Sequence, residues 1–195
     1  MIDTYKTFAD LAARVTEGND FRIVTRKMNT PYLIVAIHGG NIEPFTSEIA
    51  DGIAGEDHAF YSFEGVRPER NSELHIGSEY FDESSAMDMV RNADVIVSIH
   101  GQRDTENEFV MLGGLCEGLK ELIKKKLQEV DIAIWPIDLR VRPNSTENIC
   151  NRGMSGGGVE LEISRKLRDA LREDAGLHRL FVRAVRDAIA AYRGS

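Results

Sequence analysis

The chain has 195 residues, 42% hydrophobic and 29% charged, the balance of an ordinary globular domain long enough to bury a core without covalent staples. Its 24 Lys and Arg against 32 Asp and Glu leave a net charge of −8, which argues against a nucleic-acid binder working by bulk attraction. The apolar runs Leu33–Ile37 and Asp94–Ile99 are too short to span a membrane, and Cys116 and Cys150 make neither a disulfide framework nor a metal-type pair.

In chain order, Thr4–Val15 spaces Tyr5, Phe8, Leu11, Ala12 and Val15 as a helix does, and Gly18 supplies a stop. The opening Met1-Ile2-Asp3-Thr4 lacks the basic start and apolar stretch of a secretory signal, so a cytoplasmic, reducing compartment is expected. Phe21–Val24 and Tyr32–Ile37 read as strands, the second apolar enough to be covered on both faces. Pro44 opens a helix through Ala54, His58–Phe63 is a strand, Ser84–Asn92 a helix and Asp94–Ile99 a second buried strand. A short strand Phe109–Leu112 precedes the helix Leu115–Glu129, whose last turns hold Lys124–Lys126 where the helix dipole favours cations. Asp131–Trp135 is a strand, Pro136 to Gly158 a polar loop, and Val159–Ile163 the last strand before helices at Arg165–Glu173 and Leu177–Tyr192. This alternation predicts one α/β domain over residues 1–195, with a largely parallel central sheet flanked by helices. In such sheets ligands collect outside the carboxyl ends of the strands.

Both apolar strands release a histidine followed by glycine at that edge: His38-Gly39-Gly40-Asn41-Ile42-Glu43-Pro44 and His100-Gly101-Gln102. Glycine lets the backbone turn sharply and approach a ligand. Glu43 lies just across the turn, close enough to swing back beside the imidazole. Either histidine alone is more often a strand-end side chain bonded to backbone. Two His-Gly pairs with a glutamate are the donor set of a catalytic zinc site, which keeps one position open. Such a site needs a base that is not a ligand. On the Val159–Ile163 strand, Glu160 and Glu162 share one face, and a carboxylate there could move a proton between water and a leaving amine. The competing expectation is the solvent-facing polar side of an edge strand.

The motifs His38-Gly-Gly-Asn-Ile-Glu43-Pro, Tyr61-Ser-Phe-Glu-Gly65, Leu74-His75-Ile-Gly-Ser, Phe81-Asp-Glu, Ser98-Ile-His100-Gly and Asn148-Ile-Cys-Asn-Arg152-Gly occur in that order, with the Val159–Ser164 strand after them. This set resembles the phage-type poly-γ-glutamate hydrolases, a family also labelled phage-related replication protein and related to the zinc carboxypeptidases. The resemblance runs from about Tyr32 to Arg168. It implies a compact zinc-carboxypeptidase-like α/β fold and zinc-dependent cleavage of γ-linked glutamyl amides. By motif, His38, Glu43 and His100 would hold one zinc ion and Glu162 would be the general base. Glu160 stands where the family is expected to carry glutamine, which puts a second carboxylate beside the first.

Poly-γ-glutamate is a polyanion, and a chain at −8 needs local positive charge to hold it. Arginine suits carboxylates because its planar fork pairs bidentately. Asn151 with Arg152 is the pair expected to take an α-carboxylate, and Arg103 comes next. Arg140 and Arg142 read as solvated surface. His75, placed at the end of a strand, reads as a substrate-pocket residue or one that supports the site from behind, with a satisfied structural histidine as the competing expectation. The expected partner is a γ-glutamyl polymer, with no nucleic acid, no membrane and a monomeric protein, and release on host lysis fits a phage origin. Two alternatives stand beside this reading: a zinc deacylase or carboxypeptidase for small N-acyl or glutamyl substrates, and a non-catalytic phage replication accessory protein.

Overall fold

The structure, a computed structural model, describes residues 3–137, 142 and 144–192. Its seven strands are β1 (Phe21–Arg26), β2 (Tyr32–Gly40), β3 (Ala59–Gly65), β4 (Val95–Gln102), β5 (Val110–Gly113), β6 (Ile134–Trp135) and β7 (Val159–Ser164). They form one sheet in the order β1-β3-β2-β4-β7-β5-β6. The centre is parallel, since β3, β2, β4 and β7 pair in the same direction. Antiparallel pairing of β1 with β3 and of β5 with β7 makes the whole a mixed sheet.

Six helices cover the two faces: α1 (Phe8–Ala12), α2 (Thr46–Ala54), α3 (Ser84–Arg91), α4 (Glu117–Gln128), α5 (Arg165–Glu173) and α6 (Ala175–Ala191). Successive side chains of β2 point to opposite faces. Ile34 and Ala36 pack with Ile53 of α2 and Phe181 of α6, while Leu33, Val35 and Ile37 pack with Leu11, Leu74 and Phe81. That double burial is why β2 and β4 read as almost continuous apolar runs. Both are flanked by strands and covered on two sides.

The departures from expectation have local causes. The first helix is only Phe8–Ala12, capped by the Thr7 hydroxyl accepting from the Asp10 amide. The second begins at Thr46 rather than Pro44, because Phe45 takes a left-handed conformation at φ 75°. His75 does not end a strand: it follows a short 3-10 turn, Asn71–Leu74. A second such turn, Ile149–Asn151, stands inside the segment expected to be loop. The strand β7 is not an edge strand. It lies between β4 and β5, so its carboxylates face a cleft with strands on either side.

Candidate active site

The site is built where β2, β4 and β7 end. Between the pairs Ala36↔Ser62 and Gly39↔Glu64, β2 carries one residue more than β3, a bulge in the stretch that holds Ile37 and His38. Gly39 is required there, since a Cβ would lie 2.4 Å from Ser47 Oγ and 2.5 Å from Ser62 Oγ. The chain then folds back, with the Glu43 amide donating to the His38 carbonyl at 2.9 Å. Glu43 Oε2 accepts the Gly101 amide of β4 at 2.8 Å, which locks the carboxylate between the two histidine strands.

His38 Nδ1 lies 3.4 Å from Glu43 Oε2 and 3.1 Å from His100 Nδ1, and the third edge, His100 Nδ1 to Glu43 Oε2, is 3.9 Å. Donors each roughly 2.0–2.2 Å from a tetrahedral zinc would stand about 3.3–3.6 Å apart. The remote nitrogens are engaged elsewhere. His38 Nε2 donates to the Ile76 carbonyl at 2.8 Å, and His100 Nε2 is bonded to Ser98 Oγ at 2.7 Å. With protons on those nitrogens, both Nδ1 atoms direct lone pairs at one point beside a carboxylate.

A third imidazole completes the cluster. His75 stacks on His38 with ring centroids 3.8 Å apart, and its Nδ1 donates to Asp3 Oδ1 at 2.7 Å. Its Nε2 therefore faces Glu43 Oε1, at 4.0 Å. Donor atoms of His38, Glu43 and His75 all lie within 4.8 Å of one another, so this trio too could hold an ion.

The electrostatics favour a cation. Burial opposes ionisation of Glu43, yet His38 beside it holds the carboxyl at about 2. Burial likewise opposes charging of His38, but Glu43 outweighs it and the pKa rises. His100 is lowered to about 3, by burial and then by the positive charge at His38. His38 and Glu43 thus favour each other's charged forms, while His100 is held neutral. Behind His100, Glu160 accepts the Asn148 amide at 2.6 Å and lies 3.9 Å from His100 Nε2, and burial raises it to about 7.

These groups line a cleft of about 1150 Å³ that also takes in Glu162 and Arg103. Glu162 pairs with His100 across β4 and β7, and with Met111 across β5 and β7, which puts it on the floor beside the histidines. Arg142 lines the cleft as well and pairs with Glu79 at 3.5 Å, whereas Arg140 lies outside the described residues. Asn151 and Arg152 are not brought to the cleft. The Asn151 side chain accepts from the Leu115 and Gly158 amides, and Arg152 donates to the Phe81 carbonyl at 3.2 Å, so both secure backbone. Sequence reasoning missed Asp3 and Arg168, which also line the cleft. Neither stands in a motif, and nothing in the local pattern marks them.

The fold matches that of a bacteriophage poly-gamma-glutamate hydrolase over 98% of both chains, with 32% identity and a TM-score of 0.93. The class is therefore a hydrolase on a seven-stranded mixed sheet. The model of the poly-gamma-glutamate hydrolase family matches residues 5–191, and the chain belongs to that family. UPF0714 protein YndL of Bacillus subtilis (strain 168) is 33% identical over 174 residues, which are 87% of this chain and 67% of that protein. A zinc-free apo structure of YndL matches at 27% identity and a TM-score of 0.89, over 97% of this chain and 98% of that one. The family resemblance and the fold class expected from the sequence both hold.

Proposed function

We propose that the protein is a zinc-dependent hydrolase of γ-glutamyl amide bonds in poly-γ-glutamate, working as a single chain with one metal ion. The observation that carries this reading is the convergence of His38 Nδ1, His100 Nδ1 and Glu43 Oε2 within 3.1–3.9 Å, with both histidines tied back through their other nitrogens. These three would hold the zinc. The zinc-free state described for YndL, and the family's own name, support the same metal and substrate.

Zinc in this position supplies Lewis acidity toward the scissile carbonyl and toward water. The chain's residues do the rest. Glu162 takes the proton of the attacking water and delivers it to the leaving nitrogen. Gly101 fixes Glu43 through its amide, and Asp3 holds His75 with Nε2 turned toward Glu43. Arg103 lines the cleft and would meet a substrate carboxylate.

The test pairs metal analysis with viscosity loss of poly-γ-glutamate, on wild type and Glu162→Gln. About one zinc per chain is expected in both proteins. The rate of viscosity loss in the variant should fall by about 10²–10⁴-fold, the usual worth of a general base. Zinc without polymer cleavage would redirect the reading to small acylated amino acids. An absence of metal in the wild type would overturn the metal chemistry.

A further inference from the structure

Arg168 has no part in the chemistry above, yet it bonds to the segments that carry Glu43, His100 and Glu162. The side chain stands on the first turn of α5 and is 3% exposed. Its Nε donates to the Ile163 carbonyl at 3.2 Å, Nη1 to the Pro44 carbonyl and Nη2 to the Gln102 carbonyl at 3.2 Å. Pro44 directly follows Glu43, Ile163 directly follows Glu162, and Gln102 is two residues beyond His100. One guanidinium thus joins the helix-entry turn after β2, the end of β4 and the end of β7.

Two further observations show that the chain makes room for this contact. The guanidinium lies against Gly101, where a Cβ would come 2.6 Å from its central carbon and 2.7 Å from Nη2. That same glycine donates its amide to Glu43 Oε2. The buried charge also stands in the field of Glu43 and Glu162, which partly offsets the cost of its burial. An apolar side chain would be cheaper to bury there, but only a planar fork with donors on three nitrogens can serve three carbonyls on three segments.

We propose that Arg168 is the positioning residue of the site: it sets the spacing of Glu43, His100 and Glu162, and thereby metal affinity and the reach of the base. This inference rests on the zinc-hydrolase reading. Removing groups that orient metal ligands typically costs about 10–100-fold in affinity or activity.

The experiment measures the zinc dissociation constant by chelator competition, and kcat and KM on poly-γ-glutamate, for wild type, Arg168→Lys, Arg168→Ala, Gly101→Ala and the Gly101→Ala/Arg168→Ala double variant. Circular dichroism and thermal melting establish that each is folded. Arg168→Lys keeps the charge and loses the fork. It is expected to weaken zinc binding and lower kcat, each by about tenfold or more, with KM little changed. Gly101→Ala should weaken zinc in the wild-type background and add no loss in Arg168→Ala, where the methyl enters vacated space. If Arg168→Ala does not fold, the same cycle is run on Arg168→Lys. Wild-type zinc affinity and kcat in Arg168→Lys, or strictly additive losses in the cycle, overturn the inference. A wild type that binds no zinc overturns the underlying metal reading instead.

Discussion

Glu160 shows how much a single buried group can bias the molecule. It is 1% exposed, and burial raises its pKa from 4.5 to about 7 against the opposing bond from Asn148. The folded state therefore keeps a proton that the unfolded chain releases near 4.5, so stability from the neutral acid is present below that pH and is lost as pH rises through about 7. In metal-free protein, Glu160→Gln should melt close to wild type at pH 4 and distinctly higher at pH 8. Equal melting temperatures at both values would show that the carboxyl titrates normally. The residues that could be read in the sequence, His38, Glu43, His100 and Glu162, share one property: each sits at or just past the end of an apolar strand. Asp3 and Arg168 could not be read this way. The Asp3–His75 bond spans 72 positions and the Arg168–Pro44 bond 124, and no local pattern reports contacts made only by tertiary folding. Asn151 and Arg152 show the reverse case, a polar pair with site-like chemistry whose bonds join segments between the regular elements.

Among the elements, the bulged end of β2 has the least tolerance. Gly39 has hydroxyl oxygens of Ser47 and Ser62 within 2.5 Å of where a methyl would go, and the Ser47 oxygen also accepts the Gly40 amide at 2.8 Å. Neither serine can withdraw without breaking the bonds that shape the bulge. Gly39→Ala should cost about 1–3 kcal/mol, the usual penalty of overpacking, read as a lower urea midpoint. The variant should also bind zinc more weakly, since His38 lies within the bulged stretch next to Gly39. A variant with both values unchanged would mean that the bulge is not held by these contacts. Periodicity located most elements because burial on a sheet face or a helix stripe is written into residue type. It placed β7 and α5 within a residue of their observed bounds and overran α1, where a cap and not an apolar stripe sets the start. The two 3-10 turns were invisible for the same reason, since a single turn is too short to show a period.

For the whole molecule, charge and connectivity matter most. The chain carries −8 overall, while its cleft mixes Arg103, Arg142, Arg165 and Arg168 with the carboxylates of Asp3, Glu43, Glu79, Glu160 and Glu162. A long polyglutamate chain meets the field of the entire surface, whereas a short oligomer meets only the cleft. Raising ionic strength from about 0.01 to 0.15 M shortens the screening length from about 30 to 8 Å. KM for the long polymer should therefore fall with salt, while KM for a short γ-glutamyl oligomer rises or holds. Parallel behaviour of the two substrates would show that the outer surface plays no part in capture. The strand order itself could not be read from the sequence, because crossovers leave no local trace. Its consequence reaches back to synthesis. Among the described residues the strand latest in the chain, β7, is an interior strand whose place lies between β4 and β5. Until it arrives, two strand edges wait unpaired and offer themselves to any neighbouring chain. A nascent chain that has not yet released β7 therefore cannot close this sheet, however much of the rest has folded.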